Sequence, residues 1–275
     1  MAMTIRTNVA SLNAQRNLFQ TDAMMSSSMS RLSSGFRITK AGDDAAGLGI
    51  SVNLEAQIRS YNQASRNAQD GLSLVQTAEG ALNETSNILS RLRELGMQSA
   101  SSGVGDTERA YIQSEATALI TEIDRIANAA EYNGTALLNS TATSLTFQVG
   151  IRNTPANDQI AVSTVDATSA TLGVDGIDLS GQAGAQAALA LVDSALEDVS
   201  NARAGFGAVG NRLTSVVSTI QTASENLSAA NSRIRDVDVA EETSRMARSQ
   251  VLMQAGVSVL AQANQMPQIA LKLLG

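Results

Sequence analysis

Stepping alternately by four and three residues from Ala188 lands on Val192, Ala195, Val199, Ala202, Phe206, Val209, Leu213, Val216, Ile220, Ala223, Leu227, Ala230, Ile234 and Val237, fifteen positions that are all apolar. With 43% hydrophobic residues in the chain, a single frame meets that condition by accident on the order of a few times in a million, so the repeat is a heptad seam. It predicts one helix over 188–237, roughly 75 Å long at about 1.5 Å per residue, and hence a rod. Leu189, Leu191, Leu196 and Val217 lie off the seam and widen the apolar face. A face that wide calls for more than one partner helix.

The rest of the chain supplies partners. A second long helix is predicted from about Ser51 to Ser101, with a seam through Leu54, Ile58, Tyr61, Ala68, Leu72, Val75, Leu82 and Leu89. Gly103 and Gly105 end it, and Asp106 or Thr107 caps a third helix carrying Ile112, Ala116, Leu119, Ile123, Ile126 and Ala130. That helix closes before the turn signal Asn133-Gly134. Over 140–182 the period changes: Leu145, Phe147, Val149 and Ile151 alternate, as do Ile160 and Val162, with Pro155 in the turn between, which predicts a β-hairpin. The remainder of this segment is small, polar and Gly-containing, and reads as a surface excursion.

The two ends are weaker. Ile5, Val9, Leu12, Phe19 and Met29 recur at helical spacing but are diluted by Asn, Gln and Ser, so this helix is expected to order only when a partner covers it. At the other end Met246, Met253, Val257, Leu260, Leu271 and Leu274 share a face, with Pro267 near the end of the helix. A Met stripe can form an adaptable groove, but at this spacing core packing is the stronger reading. The two marginal helices are expected to pair with each other and with neighbouring copies. A Gly-rich connector, 35–50, follows the first helix. Its acidic pair Asp43 and Asp44 could serve acid/base or metal chemistry, and more simply caps the next helix. Gly35, Gly42, Gly47 and Gly49 loosen the backbone there, and Asp43, Asp44 and Lys40 could exchange ion-pair partners, so Gly35, Gly42, Asp43, Asp44 and Gly47 are candidate hinge residues.

Composition narrows the chemistry. The chain has 275 residues, 3% aromatics, no Trp, no Cys and no His, so thiolate or His-based metal sites and Ser-His or Cys-His catalysis are excluded. No metal or cofactor is expected, and no enzyme. The net charge is -7 and Lys40 and Lys272 are the only lysines, so no basic stripe for nucleic acid forms and anionic membranes are disfavoured. The amino terminus, MAMTIRTNVASLNAQRN, lacks the apolar run of a secretory signal, and no stretch spans a bilayer. An exported chain of this kind needs another route.

The blocks TNVASLNAQRNL, SMSRLSSGFRI, DDAAGLGIS, RELGMQSA, EIDRIA, YNGTALL, NRL, SENLSAANSRIRDVDVAEE and QANQMPQIALKLLG, in that order, closely resemble bacterial flagellin over roughly residues 1–150 and 185–275. The connector ITKAGDDAAGLG departs slightly from the usual family pattern, and the middle is far shorter than the inserted outer domains of many flagellins. The resemblance is to a minimal flagellin.

It implies a mainly α protein built as a long antiparallel coiled-coil bundle with a small β-hairpin region. The terminal helices, 1–34 and 240–275, would form an inner core domain, 35–50 a connector, 51–139 and 183–239 a helical bundle, and 140–182 a short outward region. The implied function is the structural subunit of the flagellar filament, a homopolymer outside the cell. It would be exported unfolded by the flagellar type III apparatus and served by an export chaperone, a filament cap and hook-filament junction proteins. A junction protein with similar ends is the alternative; the match through RELGMQSA and EIDRIA favours the filament subunit. Some flagellins carry a zinc-protease motif in the variable region, which needs two His that this chain lacks. The bundle seam is expected at Val209, Leu213, Val216, Ile220, Leu227 and Ile234. In flagellins sensed by the vertebrate flagellin-sensing Toll-like receptor, the positions matching Arg91, Leu95 and Glu115 form the main contact, and all three match in type. Arg91 and Leu95 are helix neighbours, and the spacing from Leu82 and Leu89 places Leu95, with Ile88, on the side away from the seam.

Overall fold

The computed structural model describes residues 7–139 and 144–274, with 266–274 described by backbone alone. Ile5 and the side chains of Leu271 and Leu274 therefore lie outside the described residues. The protein is mainly α. Its elements are α1 (Val9–Ser34), α2 (Ala45–Ser99), α3 (Asp106–Ala129), β1 (Glu131–Tyr132), β2 (Thr135–Ala136), β3 (Ser144–Gln148), a helical turn α4 (Pro155–Asp158), β4 (Gln159–Ser163), α5 (Gln182–Arg235) and α6 (Val239–Leu274). They group into two compact units, one of 57–225 and one of 1–56 with 226–275.

In the first unit, α3 and α5 both run antiparallel to α2 around one core. Arg91 meets Glu115 and Arg109 meets the Ser99 carbonyl, so α3 runs back along α2. The α5 residues Leu213 and Leu189 approach Gly71 and Gly96 of α2, so α5 runs back along it too. The predicted seam fills the interior: Val192, Ala195, Val199, Phe206, Leu213 and Ile220 are buried, with Val209 and Val216 half-buried against the same core. Leu189, Leu196 and Val217 are half-buried, whereas Leu191 is exposed, because two partner helices cover less of α5 than the off-seam leucines suggested. The α3 seam likewise carries Ala127 in place of Ile126. Gly105, with no side-chain bond, precedes α3; Asp106 and Glu108 stand in its first turn, where the helix dipole favours carboxylates.

The hairpin forms as the alternation predicts. β3 and β4 pair antiparallel, with Leu145 opposite Val162 and Phe147 opposite Ile160, and Pro155 opens α4 between them. A second, smaller hairpin joins β1 to β2 through Asn133 and Gly134, both at positive φ, which this pair of residues tolerates better than most.

The segment expected as a surface excursion is instead part of the core. Ala167, Leu172, Val174, Ile177 and Leu179 are all buried. These apolar residues are too irregularly spaced to register as strand or helix, yet the helices satisfy the strap's backbone. Gln113 donates to the Ile177 carbonyl at 3.2 Å and accepts from the Leu179 N–H, Ser99 donates to the Leu179 carbonyl at 2.6 Å, and Asp124 accepts from the N–H and hydroxyl of Ser169 at 2.8 Å each. With its polar groups paired, a chain without regular structure can be buried. Leu179→Ala should therefore destabilise this unit by about 2–5 kcal/mol, as a buried leucine does. An unchanged melting temperature would restore the surface reading.

Candidate assembly and recognition surfaces

Of the three residues expected at a receptor contact, the fold brings two together at the surface. Arg91 donates from Nε and Nη2 to Glu115 at 3.1 and 2.9 Å, and from Nη1 to Glu94 at 2.8 Å. Hydrogen bonds to Glu94 and then Glu115 push its guanidinium above its ordinary pKa. Leu95 does not join them: it is 1% exposed and belongs to the core. The spacing argument failed because α2 packs α3 on one flank and α5 on the other, so a position beside the seam is interior.

The far end of the α5 seam differs from its first part. Leu227 and Ile234 are half-buried in the second unit, and the helix stops at Arg235, before the predicted end. Val237 donates its N–H to the Gly35 carbonyl at 3.0 Å, Arg37 donates to the Arg235 carbonyl at 2.7 Å, and Phe36 bridges to Asp236. The Arg235 guanidinium lies 4.1 Å from the Phe36 ring centroid and 3.1 Å from the Glu55 carboxylate. The two chain crossings of this unit are thus fastened to each other.

The connector is shorter and tighter than predicted, because α2 begins at Ala45. Gly35 ends α1 in the left-handed region at φ 75°, with its N–H on the Arg31 carbonyl at 2.9 Å. Asp44 accepts from the Gly47 N–H at 2.8 Å, which makes it a cap for α2, as the simpler reading held. Asp43 accepts from the N–H and hydroxyl of Thr39 at 3.0 Å and from the Lys40 N–H at 3.1 Å, with Arg31 at 3.6 Å. Its carboxylate is held by these bonds, not exchanged with the Lys40 ammonium. Gly47 is helical, and a Cβ there would sit 2.9 Å from Ile38 Cδ1 and against the Asp44 carboxylate. It is a packing glycine. Gly42, in the connector's turn, has open space around it, as do Gly35 and Gly49.

The terminal helices α1 and α6 do pair, α6 largely by the expected face and α1 by an unexpected one. Along α1 the covered positions are Ser11, Ala14, Leu18, Thr21, Met25, Ser28 and Leu32; along α6 they are Glu242, Met246, Ser249, Met253, Gly256, Leu260 and Ala263. Both sets step by three and four. Of the apolar residues expected to be covered, Met246, Met253 and Leu260 of α6 are, whereas Val9, Leu12, Met29 and Phe19 of α1, the last 74% exposed, and Val257 of α6 stay outside, as do Met24, Val251, Leu252 and Val259. Sequence reasoning missed the α1 face because its buried positions, Ser11, Ala14, Thr21 and Ser28, are small or polar. The signal was present in the heptad spacing of Ser, Ala and Thr.

The sequence matches the bacterial flagellin N-terminal helical region over residues 5–143 and the C-terminal helical region over 189–274. The chain belongs to the bacterial flagellin family. It is 43% identical over 272 residues to a flagellin of Halalkalibacterium halodurans, covering 99% of this chain and 100% of that one, and 43% identical over 306 residues to a Bacillus subtilis flagellin with the same coverage. The flagellar filament 33 kDa core protein of Treponema phagedenis is 40% identical, also over 99% of this chain and all of its own length. Among solved structures, Bacillus cereus flagellin covers 60% of this chain and 94% of its own with a TM-score of 0.51 at 29% identity. A putative flagellar hook-associated protein from Vibrio parahaemolyticus reaches a TM-score of 0.60 over 70% of this chain and 100% of its own, at 16% identity, a likeness of fold alone. The protein is a structural subunit of the bacterial flagellar filament, and the junction-protein alternative is not favoured.

Two measurements check the connector. Backbone and hydroxyl donors, from Thr39 N–H first, with help from Arg31, hold the Asp43 carboxyl below its ordinary 3.8. A carboxyl lowered on folding contributes stability that is fully present above the unfolded value, about 3.9, and is lost as pH falls through the folded one. Hydrogen exchange at the Thr39 and Lys40 amides should therefore accelerate only below about pH 4 in the parent, and be fast at every pH in Asp43→Asn. Gly47→Ala should lower the melting temperature, whereas Gly42→Ala should leave it unchanged; equal effects would return Gly47 to the hinge.

Proposed function

We propose that the chain polymerises through the outward apolar stripes of α1 and α6, with the terminal helices as the inner core of the filament. The carrying observation is that Val9, Leu12, Phe19 and Met29 of α1, and Val251, Leu252, Val257 and Val259 of α6, remain exposed although their helices are already paired. A face of this kind on a protein with acidic net charge is a buried interface awaiting copies of itself. Export proceeds as an unfolded chain through the flagellar type III route, with an export chaperone, a filament cap and hook-filament junction proteins as partners. The cap favours folding in place, since the stripes are unfavourable in water. The chain works without a cofactor and without catalysis. Deleting residues 1–30 or 245–275 should leave a soluble bundle that seeds cannot elongate. Filaments of normal yield from either truncation, seen by electron microscopy, would defeat the proposal.

The same surface logic supports recognition by a vertebrate flagellin-sensing Toll-like receptor through Arg91 and Glu115, with Leu95 supporting them from inside. Arg91→Ala should weaken signalling in a reporter cell assay with the melting temperature unchanged. Leu95→Ala should weaken it only together with a stability loss of about 2–5 kcal/mol. Full signalling from Arg91→Ala would remove the contact.

A further inference from the structure

The α1 and α6 pairing face poses a register problem. Small residues recur on both sides, Ser11, Ala14, Thr21 and Ser28 against Ser249, Gly256 and Ala263, so sliding one helix by a heptad leaves apolar packing almost unchanged. Yet the register decides which exposed stripe of α6 stands beside which stripe of α1. Something other than apolar fit must choose it.

We propose that Glu242 is the register key of the terminal helix pair, a positioning residue for filament assembly. It is 4% exposed in the first turn of α6, where the helix dipole favours its charge. Ser28 of α1 donates to its Oε1 at 2.5 Å, while Arg245 and Arg31 stand 3.8 and 4.0 Å from its Oε2. Arg31 is in turn 3.6 Å from Asp43, so the key is also tied to the connector. Asp238 caps the same helix end, accepting from the Ala240 and Glu241 N–H groups at 2.9 and 3.1 Å. A slip of one heptad that brings Ser11 to Val257 carries Glu242 from Ser28 to Thr21. No arginine stands on α1 between Arg16 and Arg31, so the buried carboxylate would keep Arg245 of its own helix but lose its α1 cation, which is penalised.

Two further contacts agree with the register that Glu242 selects. Leu18 fills the space over Gly256, where a Cβ would stand 2.9 Å from its Cδ1. At the far end Ser11 donates to Asn264 at 2.8 Å, and Asn8, which caps α1, donates to the Ala263 carbonyl at 2.8 Å. Polar keys of this kind are known to fix register in coiled coils at some loss of stability.

The absence of native cysteine makes the test direct. Two full-length reporters are made: Ser11→Cys with Asn264→Cys, which reads the observed register, and Ser11→Cys with Val257→Cys, which reads the slipped one. Each is oxidised as soluble chain and as seeded filament, and the intrachain disulfide is quantified by non-reducing gel and peptide mapping. With Glu242 intact, the first reporter should dominate. Glu242→Met should raise the slipped disulfide by about tenfold or more and lower seeded elongation, and Glu242→Gln, which can still accept from Ser28 but carries no charge to be answered by Arg31, should raise it as well. The proposal is overturned if Glu242→Met leaves the ratio at the parent value. It is equally overturned if neither reporter forms a disulfide in Glu242→Met, since the residue would then be needed for pairing itself and not for choosing the register. This test reads register within one chain, so it can fail while polymerisation through the outward stripes stands.

Discussion

An α-helix of fifty-odd residues cannot bury an apolar stripe against itself, and that constraint governs the bundle unit. The stripe on α5 is continuous in sequence and has to be covered along its length. α2 and α3 cover much of the part from Ala188 to Leu213, and antiparallel packing of α3 and α5 on α2 lets three helices of one chain close around a single core. Small residues set the spacing. Gly71 and Gly96 of α2 admit Leu213 and Leu189 of α5 so closely that a methyl group at either position would crowd them, at 3.3 and 3.1 Å.

Three helices still leave an open side, and the strap of residues 165–179 closes it. It does so without regular structure because Gln113, Ser99 and Asp124 take over the hydrogen bonding that a sheet or helix would supply. Polar side chains on otherwise apolar helix faces are usually a liability. Here they allow an irregular segment to be buried, which makes this short middle region a structural part of the bundle.

The terminal helices follow the opposite design. Their mutual face sets Ser11, Ser28, Glu242 and Asn264 among Leu18, Met25, Met246, Met253 and Leu260, while a further set of apolar residues, Phe19 and Val257 among them, faces outward. The outward apolar faces leave hydrophobic free energy available to whatever covers them. The clasp of Phe36, Arg235 and Glu55 fastens the two crossings at the base of this pair.

The sequence by itself determined the helices, their seams and the hairpin, because each of those depends on a period that a single segment carries: heptads from Ala188 and Ile112, alternation at Leu145 and Ile160, a turn at Asn133-Gly134. It also identified the family, since ordered blocks survive without any knowledge of contacts. What it could not carry was any property that depends on how many neighbours a position has. Leu95 looked outward until α3 and α5 were both in place, and the strap looked like a loop until helix side chains answered its backbone. Phe19 and Leu12 looked like a buried face until the small residues beside them were seen to make the closer approach. Periodicity tells which residues share a side of a helix, but only tertiary packing decides which side is inside, because burial is a sum over every element that arrives there.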